Sequence, residues 1–133
     1  MSRFAVYETT LRDPQHIVAA LGAMGYEHVE CYPEPQALYG YVGDKRSEQA
    51  EVIIRRQYVG SASNDIGFAK NPDGTYRAII SEYDRGRHGD TWLGKLKQEY
   101  SISKTMAAGR RRGLVFSGRE TIGTEVKLHF LER

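Results

Sequence analysis

The chain has 133 residues, 40% hydrophobic and 27% charged, a composition that fits one globular domain and excludes a disordered chain. Nineteen basic against seventeen acidic residues leave a net charge of +2, too small to imply nucleic acid unless the charges cluster. The single cysteine, Cys31, excludes an internal disulfide and a four-cysteine zinc site, and no apolar run reaches the length of a signal core or a membrane span, so a reducing, cytoplasmic setting is expected.

Residues 4–11 are rich in β-formers and predict a strand. Asp13-Pro14 is a helix-start signal, Asp as acceptor for orphan N–H groups and Pro where a donor has no partner anyway. Ile17, Ala20, Leu21 and Met24 then recur on one side at helical spacing, and Gly25 supplies the stop. A short strand over 28–32 is expected to break at Pro33-Glu34-Pro35, with a second over 38–42. The polar stretch 43–49 reads as a surface loop, and the apolar run 51–55 as a strand.

After a turn-rich stretch at 60–64, segments 65–70 and 75–83 flank Asn71-Pro72-Asp73-Gly74, the chemistry of a type I turn closing a hairpin. The loop 84–90 leads to a helix over 91–112, with Leu93, Leu96, Tyr100 and Ala107 along one side. Gly94 and Gly109 weaken it by roughly 1 kcal/mol each, which allows a break near 101–103. Gly113 ends it, and strands over 114–121 and 124–131 close the chain, the last alternating Val126, Leu128 and Phe130 with polar residues. The order predicts a single α+β domain over 1–133: an antiparallel or mixed sheet of about five to seven strands with two helices packed on one face. The nine tyrosines are expected mainly in strand packing.

There is no phosphate loop, dinucleotide fingerprint or nucleophile elbow, and His16, His28, His88 and His129 do not fall at ligand spacing, so no metal or cofactor is expected. Asp84, His88 and Asp90 are the candidate catalytic group, two carboxylates and an imidazole suited to acid–base work. Against that stands helix capping by Asp90 or Thr91 with the rest solvated. Arg110, Arg111 and Arg112 form the strongest basic cluster, fit for phosphates or an acidic partner, or simply stabilised at a helix C-terminus. Arg55, Arg56 and Tyr58 make a second basic–aromatic spot of the type used on single strands. Cys31 is expected as a buried small hydrophobe, and Asp65 as a site residue or a turn-capping carboxylate.

Several segments together carry a family resemblance: Met1-Ser2-Arg3-Phe4, Leu11-Arg12-Asp13, Leu21, Gly25-Tyr26-Glu27, Asp65-Ile66-Gly67-Phe68, Leu96-Lys97-Gln98-Glu99-Tyr100 and the closing Glu132-Arg133. In these the chain resembles the hypothetical chloroplast reading frame thirty-five family of cyanobacteria, plastids and scattered other bacteria. The resemblance implies no catalytic residues; it implies an accessory role in an assembly, beside an AAA-type ATPase. Three function classes follow: an accessory protein acting through protein–protein contact, a nucleic-acid-binding module using the basic helix end, and a small enzyme or ligand-binding domain centred on 84–90.

Overall fold

The computed structural model describes residues 3–84 and 86–132. Met1, Ser2 and Arg133 of the opening and closing motifs, and Arg85 of the charged loop, lie outside the described residues. The elements run β1 (Phe4–Glu8), α1 (Pro14–Ala23), β2 (Val29–Tyr39), β3 (Lys45–Ile54), β4 (Ile66–Lys70), β5 (Tyr76–Ser81), α2 (Asp90–Arg111), β6 (Leu114–Ile122) and β7 (Glu125–Glu132). The fold is α+β, as expected, with seven strands among the described residues. They divide into an antiparallel sheet of five, in the order β1-β5-β4-β3-β2, and a separate hairpin of β6 with β7.

Pro14 opens α1, and Gly25 follows its end at φ +104, the conformation that stops a helix at little cost to glycine. Asp13 stands at the N-cap without a side-chain capping bond. The hydroxyl of Tyr100 in α2 instead accepts the backbone N–H groups of Arg12 (3.1 Å) and Asp13 (2.9 Å). The turn Asn71-Pro72-Asp73-Gly74 closes the β4–β5 hairpin, with the Asp73 carboxylate accepting the Thr75 N–H at 2.9 Å. That hydroxyl-and-amide grip from Thr75 holds the Asp73 carboxyl below its ordinary pKa.

The β2–β3 hairpin departs from expectation. Residues 45–49, read as a loop, are the start of β3 and pair with β2 through Ala37↔Gln49 and Tyr39↔Lys45. Their polarity reflects a solvated stretch of strand. The two prolines do not end β2. Between the pairs Cys31↔Val52 and Gln36↔Ala50, residues 32, 33, 34 and 35 face Glu51 alone, so Pro33 and Pro35 sit in a bulge of an edge strand, where a missing donor costs little. Cys31, expected inside, is exposed on this edge strand.

Both helices cover one face of the sheet. Ile17, Ala20, Leu21, Leu93, Leu96 and Tyr100 meet Val52, Ile54, Ile66, Phe68, Ala78 and Ile80 in the main core. The second face has no helix, yet Leu38, Ala50, Ile53, Ala69 and Ile79 on it are buried. The curled β2–β3 hairpin covers them, and Gly67 makes the room. A Cβ there would stand 2.7 Å from that of Ala50 and 2.9 Å from Leu38 Cδ1.

The 22 residues of α2 span roughly 33 Å without the break near 101–103 that its glycines allow. α1 runs antiparallel along its stretch from Trp92 to Ser103, His16 Nδ1 lying 2.8 Å from Ser103 Oγ and Trp92 Nε1 donating to Tyr26 Oη at 3.1 Å. The outer half of α2 extends past α1 and carries the β6–β7 hairpin, with Gly109 against the Phe130 ring. The hairpin is tied back at Arg119–Glu99 (2.9 Å) and from Gln98 Nε2 to the Thr124 carbonyl (3.2 Å).

Candidate functional site

Three groups of side chains compete for the role. The first is the junction between β5 and α2. Asp84 and His88 are both buried, at 4% and 5% exposure, while Asp90 is exposed. A tight turn forms because the Asp84 carbonyl accepts the N–H groups of Arg87 (3.0 Å) and His88 (2.8 Å). Arg87 Nη2 then bridges Asp84 Oδ1 and Ser63 Oγ, each at 3.1 Å.

His88 Nε2 lies 3.3 Å from Tyr26 Oη, and its ring meets Trp92 edge-on at 5.3 Å between centroids. Burial pushes the imidazole below its ordinary pKa, Arg87 adds to that, and Asp84 opposes it only in part. His88 is therefore neutral at pH 7. Asn64 Nδ2, Asp84 Oδ2 and His88 Nδ1 are buried without a protein partner among the described residues. No hydrogen bond joins the Asp84 and His88 side chains, and Asp90 is simply the first residue of α2 after its N-cap Gly89, where its charge suits the helix dipole. The structure thus brings two of the three candidates into one buried junction and leaves the third outside it. Among the described residues no three His, Cys, Asp or Glu side chains are grouped to hold a metal ion.

The second group surrounds Asp65, which is 1% exposed. Its Oδ2 accepts from the Tyr39 N–H (2.8 Å) and Arg55 Nη1 (2.9 Å), and its Oδ1 from the Arg56 N–H (2.6 Å). Arg55 also donates to Glu30 Oε1 and the Ala37 carbonyl, both at 3.0 Å. Burial alone would lower the Arg55 guanidinium, but its bond to Asp65 and the Glu30 and Asp65 charges outweigh it and raise its pKa. This arginine is thus committed to pinning the hairpin onto β4.

Arg56 gives Nη1 to the Tyr41 carbonyl (3.1 Å), and Tyr58 stacks on His28 at 4.4 Å. Sequence reasoning missed Tyr39 and Tyr41, which reach this spot from the hairpin turn. Both are exposed, as is Tyr58, at 38%, 37% and 45%. Their signal was the Tyr-Gly-Tyr spacing across the turn. Tyr76 and Tyr100 are the two tyrosines that are fully buried.

The third group lies on the hairpin and the outer half of α2. A groove of about 480 Å³ runs between them, lined from α2 by Gln98, Ser101, Ile102 and Thr105 and from β7 by Val126, Leu128 and Phe130. On the hairpin Val115 (42%), Phe116 (39%), Ile122 (54%) and Leu131 (61%) are exposed. Arg110, Arg111 and Arg112 follow Gly109 at the Phe130 end, all exposed and without an ion-pair partner among the described residues. No hydrogen bond, ion pair or ring contact links them to Arg55, Arg56 or Tyr58.

Over residues 20–123 the sequence matches the family model described as Protein of unknown function (DUF1257). The chain belongs to that family. The DUF1257 match includes the Asp65 hub, the Asp84–His88 junction and all of α2, and it ends at the turn between β6 and β7. No curated protein and no solved structure matches this DUF1257 chain. Among its described residues no helix is long and apolar enough to cross a membrane.

Proposed function

We propose that this DUF1257 protein is an accessory protein acting through protein–protein contact, in a cytoplasmic setting. The observation that carries the reading is the β6–β7 hairpin, which lies outside the main sheet, rests chiefly on α2 and shows solvent four large apolar side chains. Val115 and Leu131 stand directly opposite each other at one end of the hairpin and Ile122 beside the turn at the other, and large apolar side chains left in water are a common mark of a contact site. The likeness to the hypothetical chloroplast reading frame thirty-five family supports an AAA-type ATPase as the partner class. A second reading, single-stranded nucleic acid, has one observation in its favour: Tyr39, Tyr41 and Tyr58 are exposed beside Arg56.

The test is a tagged pull-down from the native host, with and without nuclease, run beside a Val115→Asp/Ile122→Asp variant. A stoichiometric protein that survives nuclease and is lost from the variant, whose thermal unfolding is unchanged, is the expected result. Retention by the variant would remove the hairpin from the interface. Loss on nuclease treatment alone, matched by loss on Tyr41→Ala/Arg56→Ala, would transfer the function to the tyrosine surface.

A further inference from the structure

The two edges of the hairpin are built differently. β6 carries two devices that block strand addition: the ladder jumps from Phe116↔Phe130 to Gly118↔His129, leaving Ser117 as a bulge, and Arg119 points inward to Glu99. β7 has neither. It runs unbulged for eight residues, with Val126, Leu128 and Phe130 toward α2 and Glu125, Lys127, His129 and Leu131 away from it. Its backbone is free as well. The two-residue turn Gly123-Thr124, with Gly123 at φ +60, makes Ile122↔Glu125 the hydrogen-bonded closing pair. Alternation then sends the N–H and C=O groups of Val126, Leu128 and Phe130 to the outer edge.

We propose that the β7 edge pairs antiparallel with β7 of a second copy of this chain, around a two-fold axis at Leu128. In that register Leu128 faces its own copy and Val126 faces Phe130, so apolar meets apolar on the side toward α2. On the other side Lys127 faces His129 and Glu125 faces Leu131, and no two like charges oppose one another. Side-chain pairing on the face toward α2, and the like charges of one slip, favour this register. A slip of one step sets Lys127 against Lys127, and a slip the other way sets Val126 against Glu132.

The groove supports the same occupant. It is lined by β7 and not by β6, so it opens toward the unguarded edge. A second β7 laid there brings its own Val126, Leu128 and Phe130 into the space beside Ile102. The result is one four-stranded sheet, β6-β7-β7-β6, with both α2 helices on the same face. An isologous contact of this kind buries each patch against itself and closes at two chains.

The full chain is tested by sedimentation from low-micromolar to near-millimolar concentration, with amide exchange recorded along β7 at both ends of the range. The expected result is a mass rising from monomer to dimer, with the amides of Val126, Leu128 and Phe130 slowing as it does. Lys127 and His129, already bonded to β6, should change little. Leu128→Lys should hold the chain at monomer mass; if it also loosens the hairpin, the wild-type exchange pattern still decides. A mass that stays monomeric throughout, or a dimer whose protection maps elsewhere, would overturn the proposal. So would β7 amides that slow only on addition of a partner recovered in the pull-down, since the edge would then serve a different chain.

Discussion

The body and the hairpin of this molecule use strands in opposite ways. In the five-stranded sheet β3, β4 and β5 place buried apolar side chains on both faces, one under the helices and one under the curled β2–β3 hairpin. In β6 and β7 no described residue is buried, although the two strands form eight pairs, more than any other two strands described. A two-stranded hairpin by itself is marginal in water, so this one depends on α2 beneath it and on whatever it meets outside. The contrast teaches where stability ends and contact begins. The boundary falls along α2, which turns Leu93, Leu96 and Tyr100 to the core and Gln98, Glu99 and Gly109 to the hairpin.

The contrast is broken most severely at Asp65. Asp65→Ala removes a buried carboxylate, taking from the half-buried Arg55 guanidinium one of its three acceptors and from two backbone N–H groups theirs, and should cost about 3 kcal/mol in denaturant titration. Asp65→Asn, which keeps one acceptor oxygen, should cost less. Gly109→Ala probes the other region. The new Cβ would lie 2.8 Å from Phe130 Cε1, so the hairpin should loosen by about 2 kcal/mol, read as faster amide exchange in β6 and β7 while β4 and β5 hold their protection. Gly94, in the same helix, is exposed and has nothing within 4 Å of its Cβ position. Gly94→Ala should raise stability by about 0.8 kcal/mol, the ordinary helix-propensity gain, with hairpin exchange unchanged.

Much of the body was legible in the residues. The α1 signals, the turn at 71–74 and the alternation in β7 each report a local rule that the tertiary structure obeys. The Asp-Ile-Gly-Phe segment is now explained residue by residue: Asp65 pins, Ile66 and Phe68 fill the main core, and Gly67 clears the opposite face for Ala50. Leu96-Lys97-Gln98-Glu99-Tyr100 is explained likewise. Leu96 and Tyr100 enter the core while Gln98 and Glu99 hold the hairpin.

What sequence could not give was which surfaces meet. The polar start of β3 read as loop because a solvated strand and a loop share a composition. Arg55 read as a free cation because its partners Glu30 and Asp65 lie 25 and 10 positions away. Asp84 and His88 read as one group with Asp90 because spacing within a loop does not reveal which side chains turn inward. The separation of β6 and β7 from the main sheet was equally hidden, since the pattern of a half-buried strand does not say what buries it.

The placement of β1 has a consequence during synthesis. This strand is made before the other strands described, yet its partner is β5, through pairs such as Phe4↔Ser81 and Glu8↔Arg77. It must wait, unpaired, while about seventy further residues are made, and contacts of such long sequence separation close slowly. The β6–β7 hairpin, joined by a two-residue turn, can pair as soon as it emerges. A nascent chain therefore carries an apolar strand with no neighbour until β5 has been made, and anything that sequesters residues 4–8 in that interval should raise the yield of folded protein.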